Sequence, residues 1–194
     1  MTHAHPGSRT PDELYATPPP WDIGRPQPAF RSLTIRGRVL DAGCGTGEHT
    51  LLAASLGLEA TGIDLARTAL DQAERKARDR GLAARFVHQD ARHLAELGEV
   101  FDTVLDCGLF HIFTGADRSS YVDGLRAVLA PGGRYSMLGF SDAEPDPWPH
   151  KLCRDDITAA FAAGWRIESI EPAVIEARTG RGHVKAWLAA LTRL

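Results

Sequence analysis

The chain has 194 residues and a net charge of −3, from 22 basic and 25 acidic side chains. With 43% apolar and 24% charged residues, it has the make-up of one globular domain, long enough to fold without a disulfide or metal staple. The charge balance argues against a broad basic face for nucleic acid, and no apolar run approaches the roughly 18 residues of a membrane span. Residues 1–10 lack the apolar stretch of a secretory leader. The cysteines, Cys44, Cys107 and Cys153, are odd in number and far apart, so they form neither a disulfide framework nor a zinc set. A cytoplasmic protein with no membrane, nucleic-acid or metal partner is expected.

Residues 1–20 read as loop, with Pro6, Gly7, Pro11 and the run Pro18-Pro19-Pro20. His3 and His5 lie too close to the terminus to read as metal ligands. Residues 1–30 form an arm and 31–194 the main domain. Strand Arg38–Ala42 runs into a glycine cluster, and a helix over Thr46–Leu56 stops at Gly57. Strand Glu59–Ile63 precedes the clearest helix, Ala66–Arg80. There Ala66, Ala69, Leu70, Ala73 and Ala77 mark one face. Strands follow at Arg85–His88 and Phe101–Asp106. A helix face is marked by Tyr121, Val122, Leu125, Val128 and Leu129, and Pro131-Gly-Gly133 turns the chain into strand Arg134–Phe140. A helix near Asp156–Ala163 and strands Trp165–Ile170 and His183–Ala190 complete the chain. Strands alternating with helices imply a doubly wound α/β fold with a mostly parallel sheet. The last two strands have no helix between them, which predicts one reversed strand at or near the edge.

Chemistry concentrates in Val39-Leu-Asp-Ala-Gly-Cys-Gly-Thr-Gly47, a strand, a glycine loop and a helix start. Glycines let the backbone approach a ligand with no Cβ in the way. The spacing fails the nicotinamide fingerprint, because the sixth position from Gly43 is Glu48 and from Gly45 is Thr50. The P-loop lysine is absent as well. Asp64 ends the next strand, where an acid accepts hydrogen bonds from ribose hydroxyls. Asp90 follows the third strand, where it also suits a helix N-cap.

The order Leu-Asp-Ala-Gly-Cys-Gly-Thr-Gly, then Gly-Ile-Asp64-Leu65, then Gln-Asp90-Ala91, then Pro-Gly-Gly resembles the class I S-adenosylmethionine-dependent methyltransferases. The resemblance spans residues 36–194. It implies a Rossmann-like, doubly wound seven-stranded sheet with its last strand antiparallel. It also implies that the loop of Gly43, Cys44 and Gly45 carries the methionine portion of S-adenosyl-L-methionine. Asp64, with Leu65, would hold the ribose, Asp90 and Ala91 the adenine, and Asp41 would lie beneath the amino-acid end.

Pro20-Trp-Asp-Ile-Gly-Arg25 is similar to a segment of the thiol/halide methyltransferases, within the thiopurine methyltransferase-like group. The strand-four segment Phe101–Phe110, Pro149-His-Lys151 and Arg178-Thr-Gly-Arg-Gly182 extend that likeness. It implies that Trp21, Gly24 and Arg25 belong to a lid over the cofactor, with Arg25 near its carboxylate. His150 stands where the group has a tyrosine. His111 follows strand four, pointing toward the transferring methyl as base or as pocket lining, and Cys107 reads as wall rather than nucleophile. Phe110, Phe113 and Trp148 are candidate walls of an apolar acceptor pocket. The expected activity is methyl transfer to a small molecule: a thiol, a thiopurine-like heterocycle or a small nucleophile. O- or N-methylation of a phenolic, quinol or heterocyclic acceptor is the alternative, and a non-catalytic S-adenosylmethionine-binding protein a further one.

Overall fold

The computed structural model describes residues 10–194. Seven strands form one sheet in the order β3-β2-β1-β4-β5-β7-β6. They are β1 (Val39–Ala42), β2 (Ala60–Asp64), β3 (Arg85–His88), β4 (Phe101–Cys107), β5 (Leu129–Phe140), β6 (Trp165–Glu176) and β7 (His183–Arg193). Strands β1 to β5 are parallel, and β7 runs antiparallel to both β5 and β6. The expected reversed strand is therefore β7, one place in from the edge.

The helices are α1 (Pro11–Leu14), α2 (Pro28–Arg31), α3 (Glu48–Ser55), α4 (Arg67–Asp79), α5 (Gly115–Val128) and α6 (Arg154–Ala160). Val39 packs into one core and its neighbour Leu40 into the other, because successive strand residues face opposite sides. Both faces of the sheet are thus covered, which is why its central strands read as unbroken apolar runs. In α4, Ala69, Leu70, Ala73 and Ala77 are buried, as the periodicity requires.

Three boundaries differ from expectation. Strand β5 begins at Leu129, because that residue pairs with Phe101 across a register shift, and Pro131–Gly133 lies inside the strand. The hairpin β6–β7 stays paired from Trp165↔Arg193 to Glu176↔His183. Ile175 and Val184 are buried in the second core, so the apolar pull extends past the charged stretch expected to be loop. Helix α6 starts at Arg154, where Asp156 accepts a hydrogen bond from the Cys153 amide at 2.8 Å.

The described part of the arm, residues 10–30, is held against α4, α3 and the end of β6 rather than loose, contrary to its proline content. Thr10 and Glu13 form a reciprocal cap on α1, and Asp12 accepts from the Thr68 amide at 2.8 Å. Further along, Gln27 is 2% exposed. Its side chain donates to the Glu176 carbonyl at 3.0 Å and accepts from the Glu176 amide at 2.8 Å. The Gln27 amide donates to His49 Nε2 at 3.1 Å. Gln27 thus joins the arm to the end of β6 and to α3. His3 and His5 lie outside the described residues.

Replacing Gln27 with Ala strips the Glu176 main chain of both side-chain partners. A loss of about 1–3 kcal/mol is expected, the cost of buried polar groups left unsatisfied. Urea denaturation measures it, and protease cleavage in the arm should accelerate.

Candidate active site

Strand order reverses between β1 and β4, and ligands of open α/β sheets bind at the carboxyl ends beside such a switch. A cavity of about 540 Å³ lies there. Its wall draws on Gly43 after β1, Asp64 at the end of β2, Asp90 after β3, Cys107 at the end of β4 and Phe140 at the end of β5. A lesser cavity of about 60 Å³ adjoins the glycine loop.

On the wall of the larger cavity, Asp64 accepts from the Gly45 and Ala66 amides, each at 2.8 Å. Burial pushes its carboxyl above the usual range, and those amides pull it partly back. Leu65 and Ala91 line the same cavity. Asp90 caps the 3-10 turn Ala91–Leu97 through the Arg92 amide at 2.9 Å. Its carboxylate also faces the Arg92 guanidinium, which holds it below the usual range. The N-cap reading of Asp90 is therefore observed, although the residue still lines the cavity.

The arm closes one side. Trp21, 37% exposed, lines both cavities. So does Tyr15, whose hydroxyl would stand 2.6 Å from a Cβ at Gly45, a position whose φ of 52° favours glycine. Tyr15 was missed from sequence because its arm shows no periodicity. The usable signal was the capping box, Thr10 with Glu13. Asp22 accepts from the Thr46 hydroxyl at 2.9 Å and from the Gly24 amide at 3.1 Å. Gly24 lines neither cavity. Arg25 lines the lesser cavity, but its guanidinium is paired with Glu176.

Asp41 lies under the loop and lines neither cavity. It accepts from the Thr50 amide at 2.9 Å and the Thr50 hydroxyl at 2.7 Å, and burial pushes its carboxyl up to about 7. Cys44 lines the lesser cavity and Cys107 both. Burial raises both thiols, which keeps them protonated and disfavours a nucleophilic role.

His111, Phe113, Trp148 and His150 line the same cavity. His111 is 5% exposed and stacks on Phe140, with ring centroids 4.4 Å apart. Its Nδ1 is buried without a hydrogen-bond partner. Burial, reinforced by His150, lowers its pKa to about 4, so the ring is neutral at neutral pH. Trp148 tilts against Phe140 at 5.0 Å. His150 has φ 57°, a left-handed conformation. Phe110 does not line the cavity: its ring is fully buried in the core, 5.3 Å from that of Phe161. The short 3-10 turn Phe110–Ile112 turns Phe110 inward and leaves His111 on the cavity side. Phe140 and Ile112 are walls that sequence reading missed; the position of Phe140 at a strand end was the available signal. Among the described residues, no three His, Cys, Asp or Glu side chains are grouped to hold a metal ion.

Residues 39–133 match a methyltransferase domain family. A 2-heptyl-1-hydroxyquinolin-4(1H)-one methyltransferase of Mycobacteroides abscessus is 34% identical over 169 residues, covering 83% of this chain and 74% of its own. The chain belongs to the class I S-adenosylmethionine-dependent methyltransferases. A solved structure from work on the conversion of a disulfide bond into a thioacetal group during echinomycin biosynthesis superposes with a TM-score of 0.84. It shares 40% identity, over 94% of this chain and 91% of that one. A probable thiol methyltransferase 2 of Arabidopsis thaliana is 30% identical over 62% of this chain and 56% of its own.

The cavity of this methyltransferase fits the cofactor. It has the volume of a small-molecule site, and a carboxylate on its wall suits a ribose diol. The rings of Tyr15 and Trp21 suit a sulfonium, which aromatic faces attract.

The two buried histidines make stability depend on pH. Burial pulls His49 to about 4 against the neighbouring Glu48, and His111 also lies at about 4. A histidine neutral when folded and charged when unfolded contributes stability above pH ~6.5 that is lost as pH falls toward 4. Asp41, held up to about 7, works the other way: its contribution falls as pH rises toward 7. The His49 effect is therefore read as a difference. The stability gap between parent and His49→Gln should change by up to about 1.4 kcal/mol per pH unit across the window from 6.5 to 4. Thermal melts at several pH values in that window measure it.

Proposed function

We propose that this methyltransferase acts on an apolar, heteroaromatic or sulfur-bearing small molecule whose nucleophilic atom needs no strong base. The carrying observation is the part of the cavity around Phe140, on which His111 stacks and against which Trp148 tilts. Phe140, Trp148 and Pro149 give it an apolar wall, and its ring nitrogens belong to His111 and His150 and the Trp148 indole. His111, with a pKa of about 4, is too weak a base to draw a proton from an ordinary alcohol or phenol. A thiolate, a neutral sulfur or an acidic ring-bound hydroxyl carries its own nucleophilicity. The relatives' names fit this class: a hydroxyquinolinone, a disulfide and thiols.

When bound, S-adenosylmethionine supplies a methyl group made electrophilic by its sulfonium. In this reading Asp64 holds the ribose, and the Gly43–Gly45 backbone lies against the methionine portion. The arm, with Tyr15 and Trp21, acts as a lid that excludes water, which strengthens electrostatic contacts inside. His111 orients the acceptor by a hydrogen bond from or to its neutral ring. Arg25 completes the lid through Glu176. Alignment of the reacting atoms is the main source of rate in this reading, and can contribute about 7–11 kcal/mol. The three free cysteines suit a reducing compartment such as the cytoplasm.

Release of S-adenosylhomocysteine tests the proposal across heteroaromatic thiols, N-hydroxy heterocycles, unactivated phenols and iodide. Turnover should concentrate in the first two groups; turnover confined to unactivated phenols would overturn the reading. His111→Ala should lower kcat roughly 3–10-fold, the worth of one hydrogen bond, and equally for protic and anionic acceptors. A loss confined to protic acceptors would instead make His111 the base. Asp64→Ala should weaken S-adenosylhomocysteine binding by about 1.5–3 kcal/mol in calorimetry, the range for hydrogen bonds to a charged group.

A further inference from the structure

Asp106, near the end of β4, is fully buried and lines neither cavity. Its Oδ2 accepts from the Tyr121 hydroxyl of α5 at 2.8 Å and the Tyr135 hydroxyl of β5 at 2.7 Å. The Leu109 amide donates to Oδ1 at 2.9 Å and the Phe110 amide to Oδ2 at 3.1 Å. All four neighbours are donors, and an ionised carboxylate, which only accepts, satisfies them together. Burying a carboxylate is costly unless such bonds compensate.

The two amides open the 3-10 turn Phe110–Ile112. That turn is too short to hold its own shape. Its internal bonds are those of Ile112 to the Leu109 carbonyl at 3.0 Å and of Phe113 to the Phe110 carbonyl at 3.2 Å. Yet it decides which side chains reach the cavity: Leu109, His111, Ile112 and Phe113 line it, and Phe110 turns into the core. Without Asp106, the Leu109 and Phe110 amides have no other partner among the described residues.

We infer that Asp106 is a positioning residue for methyl transfer: its buried carboxylate, braced by Tyr121 and Tyr135, fixes the turn that presents His111 to the acceptor. The inference rests on the reading of His111 as acceptor-facing. Asp106 acts through the turn and touches neither reactant.

The test uses the full-length Asp106→Asn variant, which keeps the shape but turns one acceptor oxygen into a donor. Three quantities are compared with the parent: kcat, the Kd for S-adenosylhomocysteine, and the His111 titration followed by NMR without ligands. The expected result is a kcat loss of at most roughly 3–10-fold, the worth of the His111 hydrogen bond that the turn presents. Cofactor Kd should be unchanged, and the His111 titration should move up from about 4 toward the ordinary histidine value as the ring gains water. In a His111→Ala background the same change should cost less, because the two act through one path. Unchanged kcat and titration in a folded variant overturn the inference, as does a Kd loss as large as the kcat loss. If Asp106→Asn does not fold, Tyr135→Phe removes one donor and keeps both main-chain bonds. A smaller shift in the same readouts is then expected, and no shift overturns the inference. The titration needs no acceptor, so it separates this failure from that of the acceptor assignment. Loss of the acceptor reading shows instead as full turnover by His111→Ala.

Discussion

Parallel pairing of β1 with β2 and β4 is the constraint on which the rest depends. Its register puts Ala42 beside Ile63 on one side and Asp106 on the other. Because the strands run the same way, their carboxyl ends share one edge, and the loops leaving them converge. Residues as distant in sequence as Gly43, Asp90 and Phe140 thereby line one cavity. Main-chain hydrogen bonds in the sheet gather them, with no need for attraction among the loops.

Three carboxylates at or near these strand ends share a physical role. Asp41 accepts from Thr50, Asp64 from Gly45 and Ala66, and Asp106 from Leu109 and Phe110. Each binds a main-chain amide of the loop or helix that follows its strand, and Asp64 also holds the Gly45 amide of the glycine loop. Burial pushes all three carboxyls upward, and the amides work against it. Of the three, Asp64 alone lines a cavity. The others organise what lies beneath the site.

The arm shows a second principle, closure by polar anchoring. Gln27, Asp22 and Asp12 each bind the main domain through directional hydrogen bonds, and Phe30 adds apolar contact against His49. Such bonds contribute modestly each, and several together hold the segment against the main domain.

Local physics carried much of this into the sequence. The apolar runs of β1 and β2, the face of α4, the glycines at 43, 45 and 47 and the acid at 64 were legible because strand burial, helix periodicity and close backbone approach each demand particular residue types at fixed spacing. The capping box of α1 was there to be read too, though the prolines around it suggested loop. Other features depend on partners far away in the chain. Arg25 meets Glu176, and β6 extends to Glu176 because β7 lies beside it. Phe110 and His111 are adjacent and both aromatic, and nothing in their order says which faces the cavity. That choice belongs to a three-residue turn with no period of its own, set by a carboxylate that two tyrosines hold from other elements. Side-chain type follows from local chemistry, whereas its direction at an irregular turn exists only once the sheet has closed around it.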